Sequence, residues 1–173
     1  VVVAALLNHV VLQPGEGLFL DAGELAAYLR GFGLELMASS DNVLRGGMTA
    51  KHVDVDELLR VLVAHPQLVS VLRPEAEGDE AEAEGTVRRW PLPTGEFALW
   101  TVEAERGAPA VLLPGPGSPR IVVCTEGSAT LRARTALDDV EDVRSIRRGE
   151  ALLVAADATV EARVEPGRDV ADA

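Results

Sequence analysis

The sequence predicts a mainly β protein of antiparallel sandwich or barrel type. Three observations carry that expectation. Short apolar, β-branched runs recur through most of the chain, and they are separated by Gly, Pro and Asp turns at roughly ten-residue spacing. Only one stretch, residues 54–65, carries a helical repeat of apolar positions under an N-terminal cap.

Composition bounds the rest. A chain of 173 residues is one ordinary domain or two small ones, and its 47% hydrophobic content is enough to bury a core. Aromatic residues are only 3% of the chain, so that core has to be built from Val, Leu and Ala. The net charge of −12 argues against nucleic acid and anionic membrane surfaces, both of which need clustered basic residues. It does not exclude local cations holding a small phosphate. Cys124 is the single cysteine, so no disulfide framework is expected, which suits a reducing cytoplasm. No apolar run is long enough for a bilayer span. The chain opens on Val1 inside an apolar run, which reads as a piece of a longer protein.

Residues 1–12 are apolar and β-branched, consistent with a buried strand though period alone does not separate it from a helix, with Asn8 and His9 interrupting. A lone histidine beside a strand is more often a hydrogen-bonded structural residue than a metal ligand. Pro14-Gly15 signals a turn before a strand at 18–20, and Asp21-Ala22-Gly23 returns the chain for 27–29. In a strand at 33–37, alternation puts Leu34 and Leu36 on one face and Glu35 on the other. If the leucines pack under a covering layer, Glu35 faces a barrel mouth, where desolvation would suit it to proton transfer. If they do not, it is a solvated glutamate. Residues 39–42 form a polar turn cluster rich in side-chain to backbone options. Arg45, followed by Gly46-Gly47, offers a planar fork for phosphate or hydroxyl oxygens. Lys51 is the only lysine among sixteen basic side chains, a compact charge where the chain otherwise uses arginine.

The helix over 54–65 is expected to start on Asp54 with Glu57 as capping-box partner, to present Val55, Leu58, Leu59 and Leu62 on one face, and to stop at Pro66. Beyond it, residues 73–93 read as an acidic, Pro-containing linker. Strands are then expected at 97–102, 110–113, 121–124, 129–134, 144–146, 151–154 and 159–164, followed by a tail at 167–173.

The residues of 14–51 resemble the type I mannose-6-phosphate isomerases, zinc enzymes built from cupin barrels. Ala27-Tyr28-Leu29, Glu35-Leu36-Met37, Ser40-Asp41-Asn42-Val43-Leu44-Arg45, Gly47, Thr49 and Lys51 fall at the spacing of that family's pattern. Two positions depart from it: the family's zinc-binding histidine would fall at Ala26, and the proline of its barrel motif at Asp21. The resemblance implies a cupin jelly roll: strands ending a first, sugar-site barrel (1–53), a helical connector (54–72), the linker (73–93) and a second, smaller degenerate barrel (94–166). It implies the carboxy-terminal part of an aldose–ketose isomerase acting on mannose 6-phosphate, with the amino-terminal part of the same enzyme as a partner. It further implies that Arg45, Glu35 and Lys51 are catalytic and that Tyr28, Asp41 and Asn42 line the substrate site. Zinc is the family's cofactor. With Ala26 at a ligand position, and His9, His52 and His65 lacking motif spacing, this chain alone is not expected to bind it. The alternative is a non-catalytic cupin module that binds a sugar phosphate or serves a structural role.

Overall fold

A computed structural model describes residues 3–40, 43–47, 49–66, 68–76, 85–104, 107–135 and 141–165. The chain divides into two compact units, one of residues 1–73 with 91–98, the other of 74–90 with 99–173. The mainly β expectation holds, since the described residues include a single α-helix and several antiparallel sheets.

The second unit is the better ordered by hydrogen bonding, and its core shows why. Strands β6 (Val111–Leu112), β8 (Ser128–Thr135), β9 (Glu141–Arg147) and β11 (Ala158–Glu165) form a sheet in the order β6-β11-β8-β9. Strands β7 (Arg120–Val123) and β10 (Ala151–Val154) pair separately, Leu153 opposite Ile121. Alternation turns Leu131 of β8, Ile146 of β9, and Ala158, Val160 and Ala162 of β11 inward, where they meet Leu113, Cys124 and Val154. Val160 is 1% exposed and Ile146 2%. A core this poor in rings draws its stability from many small side chains, each worth on the order of 1.5–3 kcal/mol when fully buried for a Val, Leu or Ile.

Two further strands, β3 (Glu75–Ala76) and β4 (Gly85–Arg89), join β5 (Trp100–Ala104) in the order β3-β4-β5. They fall inside the stretch read from sequence as a linker. Val87 opposite Val102 and Arg89 opposite Trp100 give β4 a cross-strand partner, and the Arg89 guanidinium lies 5.7 Å from the centre of a Trp100 ring. The acidic residues 77–84 and the tail 167–173 lie outside the described residues.

One arginine ties the turns of this unit together. The Arg120 guanidinium donates to the carbonyls of Leu113 (3.5 Å), Pro114 (3.4 Å) and Ala155 (3.5 Å), and also to that of Ala158. Its Nε is buried without a partner. Arg120→Met would leave those carbonyls without this donor, and a loss of about 1–3 kcal/mol is expected in denaturant unfolding. Arg120→Lys should recover little of it, because a point ammonium cannot span both turns as the fork does. Recovery of full stability by lysine would rule out the multidentate role.

The first unit is organised differently. Residues Val3–Leu6 form a 3-10 turn where a buried strand was expected, and residues 7–13 continue without strand pairing. Strand β1 is only Gly17–Leu18, paired with β2 (Val71–Leu72), and the Glu16 carboxylate pairs with Arg73 beside them. Accepting the Gln13 N–H, and then the Arg73 contact, hold the Glu16 carboxyl below its usual range. The strands expected at 27–29 and 33–37 do not form, since neither segment has a ladder partner among the described residues. A strand is defined by its hydrogen-bonded neighbour, and alternation alone cannot supply one.

Helix α1 spans Val55–Val61 under Asp54, whose carboxylate accepts the Glu57 N–H at 3.0 Å. The capping box is half made, because the Glu57 side chain turns to Arg60 (2.5 and 2.7 Å). The helix ends well before Pro66. Leu62 is already extended, and the Val63 N–H donates to the Gly23 carbonyl at 3.0 Å. Gly23 has φ 84° and an added Cβ would lie 2.8 Å from the Val61 carbonyl oxygen, so this crossing needs glycine.

Candidate functional site

The polar segment of the first unit runs from residue 26 to residue 51, with no regular secondary structure in its described part. Glycine shapes it: Gly31 has φ 120°, a conformation other residues avoid, and it lies between Tyr28 and Glu35. Tyr28 and Glu35 lie near enough on this segment for the carboxylate to act on the phenol. Desolvation of the phenol first, and then the charge and hydrogen bond of Glu35, push its pKa above the ordinary 10.0. The ring as a whole remains 82% exposed. Leu34 and Leu36 are also exposed, at 65% and 47%, so neither face of this segment is the buried one.

Leu44 is half-buried while Arg45 beside it is exposed. The Leu25 side chain packs where a Cβ on Gly46 would lie, drawing the loop after Arg45 against the segment before Tyr28. Lys51 is exposed, and its backbone N–H donates to the Thr49 hydroxyl at 3.1 Å. No ion pair joins Glu35 to Arg45 or Lys51 among the described residues. Asp41 and Asn42 lie outside the described residues.

Ala26 is exposed and presents only a methyl group. His9, His52 and His65 are exposed as well. Among the described residues, no three His, Cys, Asp or Glu side chains are grouped as a metal site requires. The donor set of these residues does not fit catalytic zinc.

Sequence reasoning singled out Tyr28 and Glu35 separately and missed that the carboxylate acts on the phenol. The signal available was Gly31 and Gly33 between two groups able to share a proton. This contact has a direct test, since Tyr28 is the only tyrosine in the chain. Phenolate absorbance is expected to titrate above the ordinary range, and Glu35→Gln should bring the midpoint down. A group with a raised folded pKa adds stability that is full below its unfolded value and is lost as pH rises through the folded one. The contact therefore weakens from about pH 10 upward. An unchanged midpoint in Glu35→Gln would show that the two side chains do not meet.

These features define first a class, an antiparallel β protein consistent with a cupin jelly roll, with an acid, a phenol and two cations on one irregular segment. Comparison with known proteins then points to particular relatives. The chain is 38% identical over 127 residues to the mannose-6-phosphate isomerase of Salmonella typhimurium, covering 73% of this chain and 30% of that protein. It is 38% identical over 128 residues to the Escherichia coli mannose-6-phosphate isomerase, again covering 73% and 30%. Mannose-6-phosphate isomerase 2 of Arabidopsis thaliana is 36% identical over 162 residues, 91% of this chain and 33% of that protein. The resemblance read from residues 14–51 is thus borne out as similarity to curated isomerases. The chain spans about a third of the length of these relatives. No family model and no solved structure matches it.

Proposed function

We propose that this chain is the carboxy-terminal part of an aldose–ketose isomerase that interconverts mannose 6-phosphate and fructose 6-phosphate. The observation that carries the reading is the similarity to relatives of that name over 73–91% of the chain. The nearness of Glu35 to Tyr28 supports it locally, because a carboxylate and a proton-bearing phenol then share the segment that bears the family pattern.

Isomerisation moves a proton between C1 and C2 of the open-chain sugar through an enediol. Glu35 is the carboxylate that takes and returns it, with Tyr28 fixing its orientation. Arg45 offers paired N–H donors to an oxygen that gains charge as the enediolate forms, and Lys51 adds a compact charge for the phosphate. Asp41 and Asn42, between these groups in the sequence, hold sugar hydroxyls. Zinc in the family supplies Lewis-acid polarisation of the carbonyl. With Ala26 at the ligand position, this chain contributes neighbours of such a site and not its ligands. We place the carboxy-terminal strands of the sugar-site barrel at 1–53, the connector at 54–72 and a second, degenerate barrel at 94–166, and the protein in the cytoplasm. Among the described residues, no helix is long and apolar enough to cross a membrane.

A coupled assay with mannose 6-phosphate tests the reading. The chain alone should show little turnover, and addition of the separately expressed amino-terminal remainder with zinc should restore it. Failure to restore turnover while mannose 6-phosphate still binds saturably would favour the second reading, a non-catalytic cupin module. Ala26 is the observation behind that alternative.

A further inference from the structure

The outward face of the four-stranded sheet in the second unit holds a cleft of ≈ 390 Å³, lined by Ala110, Thr130, Arg132, Glu161 and Arg163. Strand register explains why these side chains meet. Thr130 of β8 lies directly opposite Arg163 of β11, and Arg132 directly opposite Glu161, so all four project from the face away from the core. Ala110 leaves the space open, because its methyl group fills little of it.

The charges on this face are not balanced. Arg132 donates to Glu141 at 3.1 Å, and Arg134 donates to the other oxygen of the same carboxylate at 2.9 and 3.2 Å. That carboxylate is held below its usual range, by Arg134 first. One acid thus serves two guanidinium groups and fixes Arg132 at the rim. Arg163 has no side-chain partner among the described residues, and neither has Glu161. The Thr130 and Ser145 hydroxyls are 3.3 Å apart beside them. Within a chain of net charge −12, this is a local arrangement of two guanidinium groups lining one cleft, a hydroxyl donor and one free carboxylate.

We propose that this cleft binds a hydroxylated phosphomonoester. Arg163 and Arg132 hold the phosphate oxygens, and Thr130 donates a further hydrogen bond. Glu161 would repel a bare phosphate dianion, so it selects a ligand that also brings hydroxyl groups for it to accept. The site is independent of the isomerase reading, since every group in it belongs to the second unit.

The test is an NMR titration of the whole 173-residue chain, following Thr130 and Arg163. Mannose 6-phosphate should give saturable shifts there, inorganic phosphate a weaker response, and mannose none. Arg163→Gln should weaken binding by roughly ten-fold or more, the loss of a charge-assisted contact. Arg45→Gln should leave the cleft unaffected. The proposal is overturned by absence of saturation, by equal response to mannose, or by an unchanged affinity in Arg163→Gln. An equal loss in Arg45→Gln would also overturn it, because the response would then come from the first unit. Inorganic phosphate binding as tightly as the sugar phosphate would remove the role given to Glu161. Circular dichroism of each variant confirms that the exposed substitutions leave the fold intact.

Discussion

Val160→Asp is expected to abolish the folded second unit. Val160 is 1% exposed, and its neighbours in the cluster are Leu113, Cys124, Leu131, Ile146 and Val154, none of which can pair with a carboxylate. Burying an unpartnered acid there costs about 4 kcal/mol or more, a large part of the stability of a domain this small. Val160→Ala should cost less, about 1–3 kcal/mol, because it only removes methyl groups and leaves a small void. Denaturant unfolding of the two variants separates these outcomes. Equal, small effects would mean that β11 is not the centre of this core. The pairing of β11 with both β6 and β8 makes that outcome hard to reconcile with the sheet order.

Glu35→Gln should lower kcat for mannose 6-phosphate by roughly 10²–10⁴-fold in a form of the protein that turns over, since glutamine keeps the shape and loses the base. Arg45→Gln should lower kcat with a smaller change in KM if the guanidinium acts on the developing charge. A Glu35→Gln enzyme retaining near-full kcat would remove the carboxylate from the proton-transfer role. If Arg45→Gln instead raised KM alone, the arginine would be a substrate anchor. Both results are read against the Tyr28 titration, which reports the same carboxylate without requiring turnover.

Most strands of the second unit were legible in the sequence and those of the first were not, for a shared physical reason. Each of the seven strands expected from residue 97 onward has a counterpart, and the strand expected at 151–154 is β10 from end to end. There the partners follow one another closely, as in β8 and β9, so local alternation and pairing agree. In residues 19–37 the same alternation has no ladder partner among the described residues, and Leu34 is exposed with Glu35. Helix α1 shows a tertiary contact overriding a local signal: the Gly23 carbonyl takes the Val63 N–H before Pro66 is reached. The acidic composition around residue 80 likewise hid β3 and β4, whose pairing with β5 depends on Val87 and Arg89 more than on average polarity. At the site, residue types were readable, but the influence of Glu35 on Tyr28 runs across Gly31, whose φ of 120° periodicity does not encode.

The placement of the indole rings has a practical consequence for anyone following this molecule in solution. Trp90 and Trp100 are the only two tryptophans, and both belong to the second unit. Intrinsic fluorescence will therefore watch one half melt and stay blind to the other, whose sole chromophore of that kind is Tyr28. A single smooth emission curve would say nothing about cooperativity between the halves, and the phenol signal has to be recorded beside it.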